Sequence, residues 1–169
     1  MVMLRPSLSS DLSNGLLCAE HFQIAWATSD IDRAQQIFAE QYGVRRWTRL
    51  AGQLPAGGQI HVELAWVGGV MVELMFASGE GSAIYMDRLP DTGGFQMRLH
   101  HFGYILDNEA AWDALMAKVA HKGHAMPHIS HNAGFMKSCF VDAPELGHYL
   151  EYICPKPAGR AFFESVAEN

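Results

Sequence analysis

The sequence has little that would commit it to a membrane, a nucleic acid or a disulfide framework. No apolar run approaches the roughly eighteen residues that a membrane helix needs. Basic residues are scarce: 12 Lys and Arg stand against 18 Asp and Glu, for a net charge of −6. An acidic surface without a basic run argues against duplex nucleic acid, whose binding depends on neutralising phosphates. Cysteine is sparse too. Cys18, Cys139 and Cys154 are an odd number without short paired spacing, which predicts reduced thiols. Near the N-terminus, Ser, Asp and Asn stand where a signal peptide has its apolar stretch, so a cytoplasmic location is expected.

What is there is globular. The chain has 169 residues, 49% hydrophobic and 18% charged, enough for one domain or two small modules sharing a core. A small-molecule substrate is the partner that this composition leaves open.

The chain also reads twice. His21-Phe22-Gln23-Ile24-Ala25-Trp26 and His101-Phe102-Gly103-Tyr104-Ile105-Leu106 each open with His-Phe and continue as a short apolar strand. Each is followed by a polar break and a helical pattern. The first helix carries a stripe of Ile31, Ala34, Phe38 and Tyr42, with a capping box at Ser29 and Asp32 and a closing Gly43. The second carries Trp112, Leu115, Met116 and Val119 after Asp107-Asn108, and Gly123 closes it. Strand-like runs follow each helix: 60–67 and 70–77 around Gly68-Gly69, then 135–141 and 148–153. Shorter strands are expected near 46–50 and 124–129. The expected divisions are an N-terminal extension (1–19), a first βαβββ module (20–78), a connector (79–97), a second βαβββ module (98–154) and a C-terminal tail (155–169).

The repeat pairs two glutamates. Glu73 lies 52 residues after His21, and Glu151 lies 50 after His101. A charged residue inside an apolar strand is costly unless it is paired or bound to metal. Strand alternation puts Glu73 on one face with Met71 and Met75, Glu151 with Tyr149 and Ile153, and His21 with Gln23 and Ala25. If two curved modules face each other, His21, Glu73, His101 and Glu151 share a cavity. Two imidazoles and two carboxylates suit one borderline divalent ion: Ni, Co, Zn, Mn or Fe. Any one of these residues alone would more often be a packed His or a solvated Glu; the matched repeat is what favours metal. His100 does not align with His21 and is assigned to the surroundings of the site or to the surface.

At these residues the chain resembles the vicinal oxygen chelate superfamily, which contains glyoxalase I, methylmalonyl-CoA epimerase, extradiol dioxygenases and antibiotic-resistance proteins. The resemblance covers residues 20–154, and the run Phe140-Val141-Asp142-Ala143-Pro144-Glu145-Leu146-Gly147-His148-Tyr149-Leu150-Glu151 looks like the end of glyoxalase-like members. It implies an α+β fold in which two βαβββ modules form an eight-stranded, partly open barrel around the metal. The ligand order His, Glu, His, Glu matches glyoxalase I. Methylmalonyl-CoA epimerase commonly has Gln where Glu73 stands, and its additional acid lies around 53–58, where this sequence has none.

The function expected is that of a metal-dependent lyase or isomerase of the glyoxalase or epimerase type. Glu151 or Glu73 would be the base and Tyr149 a possible proton donor. A non-catalytic ligand-binding protein and a single-metal oxygenase are the alternatives. A homodimer is expected. The imidazoles of His121, His124, His128 and His131 have helical spacing, but Gly123 and Pro127 break any helix there, so they are read as mostly solvent-facing, with His128 or His131 the candidates for reaching the pocket.

Overall fold

Both long helices are capped by the residue just before them. In the computed structural model, which describes residues 11–169, helix α1 spans Ile31–Tyr42 and Asp30 accepts the Arg33 N–H at 2.9 Å. The cap is therefore Asp30 rather than the expected Ser29. The Ser29 hydroxyl instead accepts the Gln96 N–H at 2.8 Å, which ties the connector to the end of the first strand. A four-residue helix, α2 (Ala83–Met86), interrupts that connector. Helix α3 spans Glu109–Lys122, and Asn108 accepts the Ala111 N–H. Gly43 and Gly123 end α1 and α3 in the left-handed region, at φ 77° and 71°. The buried faces are Ile31, Ala34 and Phe38 on α1, and Trp112, Leu115 and Val119 on α3.

Each helix follows one strand and precedes three. The first module contains β1 (Glu20–Thr28), β2 (Thr48–Gln53), β3 (Gln59–Val67) and β4 (Val70–Ser78). The second contains β5 (Met97–Ile105), β6 (His128–Asn132), β7 (Met136–Ala143) and β8 (His148–Pro155). All eight form one sheet in the order β2-β3-β4-β1-β5-β8-β7-β6. Within each module the first and last strands run parallel, and the modules join through the antiparallel pair β1–β5. Leu50 of β2 and His128 of β6, from opposite ends of this order, line one cavity, so the sheet curls into a partly open barrel.

Its convex face carries both helices. Trp26, Val72 and Leu74 pack with α1, while Tyr104, Leu150 and Tyr152 pack with α3. The concave face holds Val62, Leu64, Met71, Met75 and Ile153. Residues read as a tail form helix α4 (Pro157–Glu164), whose Phe163 inserts among those concave side chains. The Phe163 carbonyl accepts the Trp66 indole N–H at 2.9 Å, and the Asn169 side chain accepts the Arg45 and Arg46 amides. The second module's C-terminal segment thus packs on the first module of the same chain. Leu16–Cys18 form a short 3-10 helix whose Leu16 carbonyl accepts the Tyr152 hydroxyl at 2.7 Å; residues 1–10 of the expected extension lie outside the described residues. Cys18, Cys139 and Cys154 are free thiols. Among the described residues, no helix is long and apolar enough to cross a membrane.

Two bulges decide which side chains enter the barrel. Along β1–β5, His21 pairs with Tyr104 and Gln23 with Gly103, leaving Phe22 without an opposite number. Farther along, Ala25 pairs with His101 and Trp26 with Leu99, leaving His100 over. An extra residue shifts the alternation by one and sends the flanking side chains to different faces.

Candidate active site on the concave face

The concave cavity encloses about 310 Å³, and Gln23, Glu73, His101 and Glu151 line it together. His21, expected in this set, is absent from it. The Phe22 bulge turns His21 to the convex side, where its ring lies 5.3 Å from Phe102 and 5.4 Å from Tyr104 and its Nε2 sits 2.9 Å from the Gln23 carbonyl. The structure therefore brings together Glu73, His101 and Glu151, with Gln23 in the place read as His21.

Register explains the substitution. Gln23 pairs with Met71, two residues before Glu73, and His101 pairs with Tyr149, two residues before Glu151. Gln23 and His101 are thus the equivalent positions, and each lies 50 residues before its glutamate. That equal spacing was the available signal, and the His-Phe match at 21–22 and 101–102 obscured it. The residues two places on, Ala25 and Gly103, are small and occupy the middle of the β1–β5 pair between the four side chains.

Gln23 Oε1 is buried without a hydrogen-bond partner. The Gln23 amide N–H donates to Glu73 Oε2. Glu151 Oε2 is 3.1 Å from His101 Nε2, close enough to pair with the ring when that nitrogen carries a proton. Burial pushes the Glu73 carboxyl up to about 7, while His101 and the Gln23 amide act to lower it and Glu151 to raise it. Burial opposes charge on His101, yet Glu151 and Glu73 together leave its pKa raised. Among the described residues, no three of His, Cys, Asp or Glu are already arranged as a metal cage. The amide oxygen of Gln23 is the additional donor in this cavity.

Behind His101 stands His100, fully buried. Its Nδ1 lies 2.9 Å from His101 Nδ1, and its Nε2 lies 2.9 Å from the Ile84 carbonyl. Burial, with the neighbouring His101, lowers the His100 pKa to about 3, so this ring is neutral.

The cavity walls differ between modules. On the first-module side they are apolar: Leu50, Ile60, Val62, Leu64 and Met75, joined by Phe163. The second-module side is mixed: Ser130, Asn132, Ser138 and His128 alternate with Phe135, Met136, Phe140 and Ile153, and Tyr85 joins them from the connector. The alternation of β6 sends His128 inward and His131 outward, where it meets the Trp112 ring. His121 and His124 are exposed. Tyr85, from the connector helix α2, was missed by sequence reasoning because Gly79, Gly81 and Pro90 mark the stretch as a linker. Its hydroxyl lies 3.3 Å from His128 Nε2, and burial, with the charges of Glu151 and Glu73, pushes its pKa up to about 12.

Tyr149, expected beside Glu151 as a proton donor, does not line the cavity. Its hydroxyl donates to Asp87, and the Arg88 guanidinium lies 4.1 Å over its ring. It anchors the connector against β8.

The sequence matches no family model and no curated protein. Solved structures do match. Methylmalonyl-CoA epimerase from Mycobacterium tuberculosis superposes with a TM-score of 0.57 at 15% identity, over 94% of this chain and 97% of that one. A variant of the Streptomyces coelicolor epimerase in complex with 2-nitronate-propionyl-CoA gives a TM-score of 0.59 at 16% identity, over 83% and 96%. A hypothetical protein from Bacillus halodurans gives 0.55 at 17%, over 81% and 94%. At such identities the likeness is one of fold alone: this chain shares the fold of those methylmalonyl-CoA epimerases.

Proposed function

We propose that the concave cavity is the active site of a metal-dependent isomerase or lyase of the glyoxalase or epimerase type, acting on a small oxygenated carbonyl compound. One observation carries this: two carboxylates, Glu73 and Glu151, share a cavity with a buried amide oxygen that has no partner, Gln23 Oε1, and with an imidazole nitrogen, His101 Nε2, that stands 3.1 Å from Glu151. Unpaired buried polar atoms are rare and call for a partner. One amide oxygen, one imidazole nitrogen and two carboxylates fit a borderline or hard divalent ion, with Ni, Co, Zn, Mn and Fe all compatible. A bound ion would polarise a substrate carbonyl and stabilise the oxyanion formed from it.

The chain's own groups do the rest. Glu151, 12% exposed, takes the proton from the carbon beside the carbonyl. Glu73 is the more restrained carboxylate, because the Gln23 amide holds it. The Tyr85 hydroxyl keeps its proton at neutral pH and donates to a substrate oxygen, with His128 orienting it. The first-module wall takes the apolar body of the substrate and keeps water from the reacting carbon.

The test is exchange of the proton beside the carbonyl in heavy water, across a panel of small 2-oxygenated and 2-methyl-branched carbonyl compounds with each divalent ion. Wild type should exchange at least one of them. Glu151→Gln should lose about a thousandfold in rate, within the range for a lost general base. Exchange by Glu151→Gln at the wild-type rate removes the base assignment. Tight binding without exchange by wild type selects the sequestration alternative instead.

A further inference from the structure

We infer that His100 is a positioning residue that fixes the proton of His101 on Nδ1, leaving Nε2 as the one ring nitrogen offered to the cavity. The geometry requires it. The Ile84 carbonyl can only accept, so His100 Nε2 must carry a proton. The two Nδ1 atoms lie 2.9 Å apart, a contact that needs one proton between them. His100 is wholly buried and packed against Phe140 and Tyr149, with Arg88 as its nearby fixed charge, so a second positive charge has no counterion there. A neutral His100 with a proton on Nε2 has a bare Nδ1. The shared proton therefore belongs to His101. His101 Nε2 is then the atom offered to the cavity, where it faces the Glu151 carboxylate across 3.1 Å and can hold an ion or exchange a proton.

The same chain of contacts docks the connector. Ile84 immediately precedes Tyr85, so the hydrogen bond from His100 holds the backbone from which Tyr85 enters the cavity. His100 is the β5 bulge residue. Without the bulge it would alternate with His101 and point to the other face. One extra residue in the strand thus puts two imidazoles in series between α2 and the cavity.

This inference rests on the proposed role of the cavity only for its purpose, and its test does not need turnover. The full-length, metal-free protein is prepared with heavy-nitrogen-labelled histidine, and ring tautomers are read by nuclear magnetic resonance at alkaline pH, where both rings are neutral. The His101 signals are assigned by their loss in His101→Gln. The expected result is a proton on Nδ1 and a bare Nε2. His100→Asn keeps an acceptor near His101 Nδ1 and should preserve that tautomer. His100→Leu removes the imidazole and offers His101 Nδ1 no acceptor in its place. It should shift His101 toward the Nε2 proton and weaken zinc binding, measured by titration calorimetry, by about 10–100-fold. A His101 protonated on Nε2 in wild type overturns the inference, whether or not the variants fold. So does a folded His100→Leu with the wild-type tautomer. The expected tautomers in a protein that exchanges no substrate proton would sink the proposed function and leave this inference standing.

Discussion

Gly103 lies directly beneath the side chain of Gln23: a β-carbon built on Gly103 would stand 2.5 Å from Gln23 Oε1 and 2.7 Å from Gln23 Cβ. The glycine supplies space rather than an unusual backbone angle. It makes room for an amide where the equivalent position of the other module carries His101.

Gly103→Ala should therefore displace Gln23 and destabilise the fold by about 1–3 kcal/mol, the range for overpacking a tight interior. Denaturant melts would measure it. The cost should shrink in a Gln23→Gly background, because residues in contact are not additive. Equal costs in both backgrounds would show that the two side-chain sites do not meet.

The β1 bulge makes opposite claims about two neighbouring residues. Gln23→Ala should weaken divalent-ion binding by about tenfold or more, given what even outlying partners of metal sites contribute. His21→Ala should leave it unchanged, since that ring lies against Phe102 and Tyr104 on the convex side. Titration calorimetry with zinc and nickel decides between them. The reverse pattern would restore the sequence expectation that His21 is the ligand.

Tyr85 and Tyr149 divide in the same way. Tyr85→Phe should slow proton exchange about a hundredfold, as for a lost acid–base partner in a cavity. Tyr149→Phe should leave exchange close to wild type and cost about 1 kcal/mol of stability through the lost bond to Asp87. A large loss of exchange in folded Tyr149→Phe would return that residue to the reaction.

The helix cap offers a check away from the site. Asp30→Ala should cost about 1 kcal/mol in a thermal or denaturant melt, as N-cap removals do. Ser29→Ala should leave α1 intact and instead loosen the connector at Gln96, visible as faster amide exchange there. Equal loss of α1 in both variants would place the cap on Ser29 after all.

Much of this fold is written locally. The stripes at 31–38 and 112–119, the glycines at 43 and 123, and the alternating runs around Gly68-Gly69 specify helices, caps and strands from neighbours in the chain. The duplication was legible for the same reason, and so were three of the four cavity residues, Glu73, His101 and Glu151, as charged or imidazole side chains in apolar strands. The fourth was not. Which side chain of β1 enters the barrel depends on one unpaired residue, and no local signal distinguishes Phe22 as a bulge from Phe22 as an ordinary strand residue. Pairing with β5 decided it, a contact across some eighty positions of chain. Tyr85 and Phe163 were hidden by the same limit: a connector and a tail become cavity wall only when the sheet curls and brings them there. The sequence by itself determined the two modules and their matched glutamates, because period and spacing are properties of the chain. The tertiary structure alone decided that Phe22-Gln23 corresponds to His100-His101, because register is a property of two strands together.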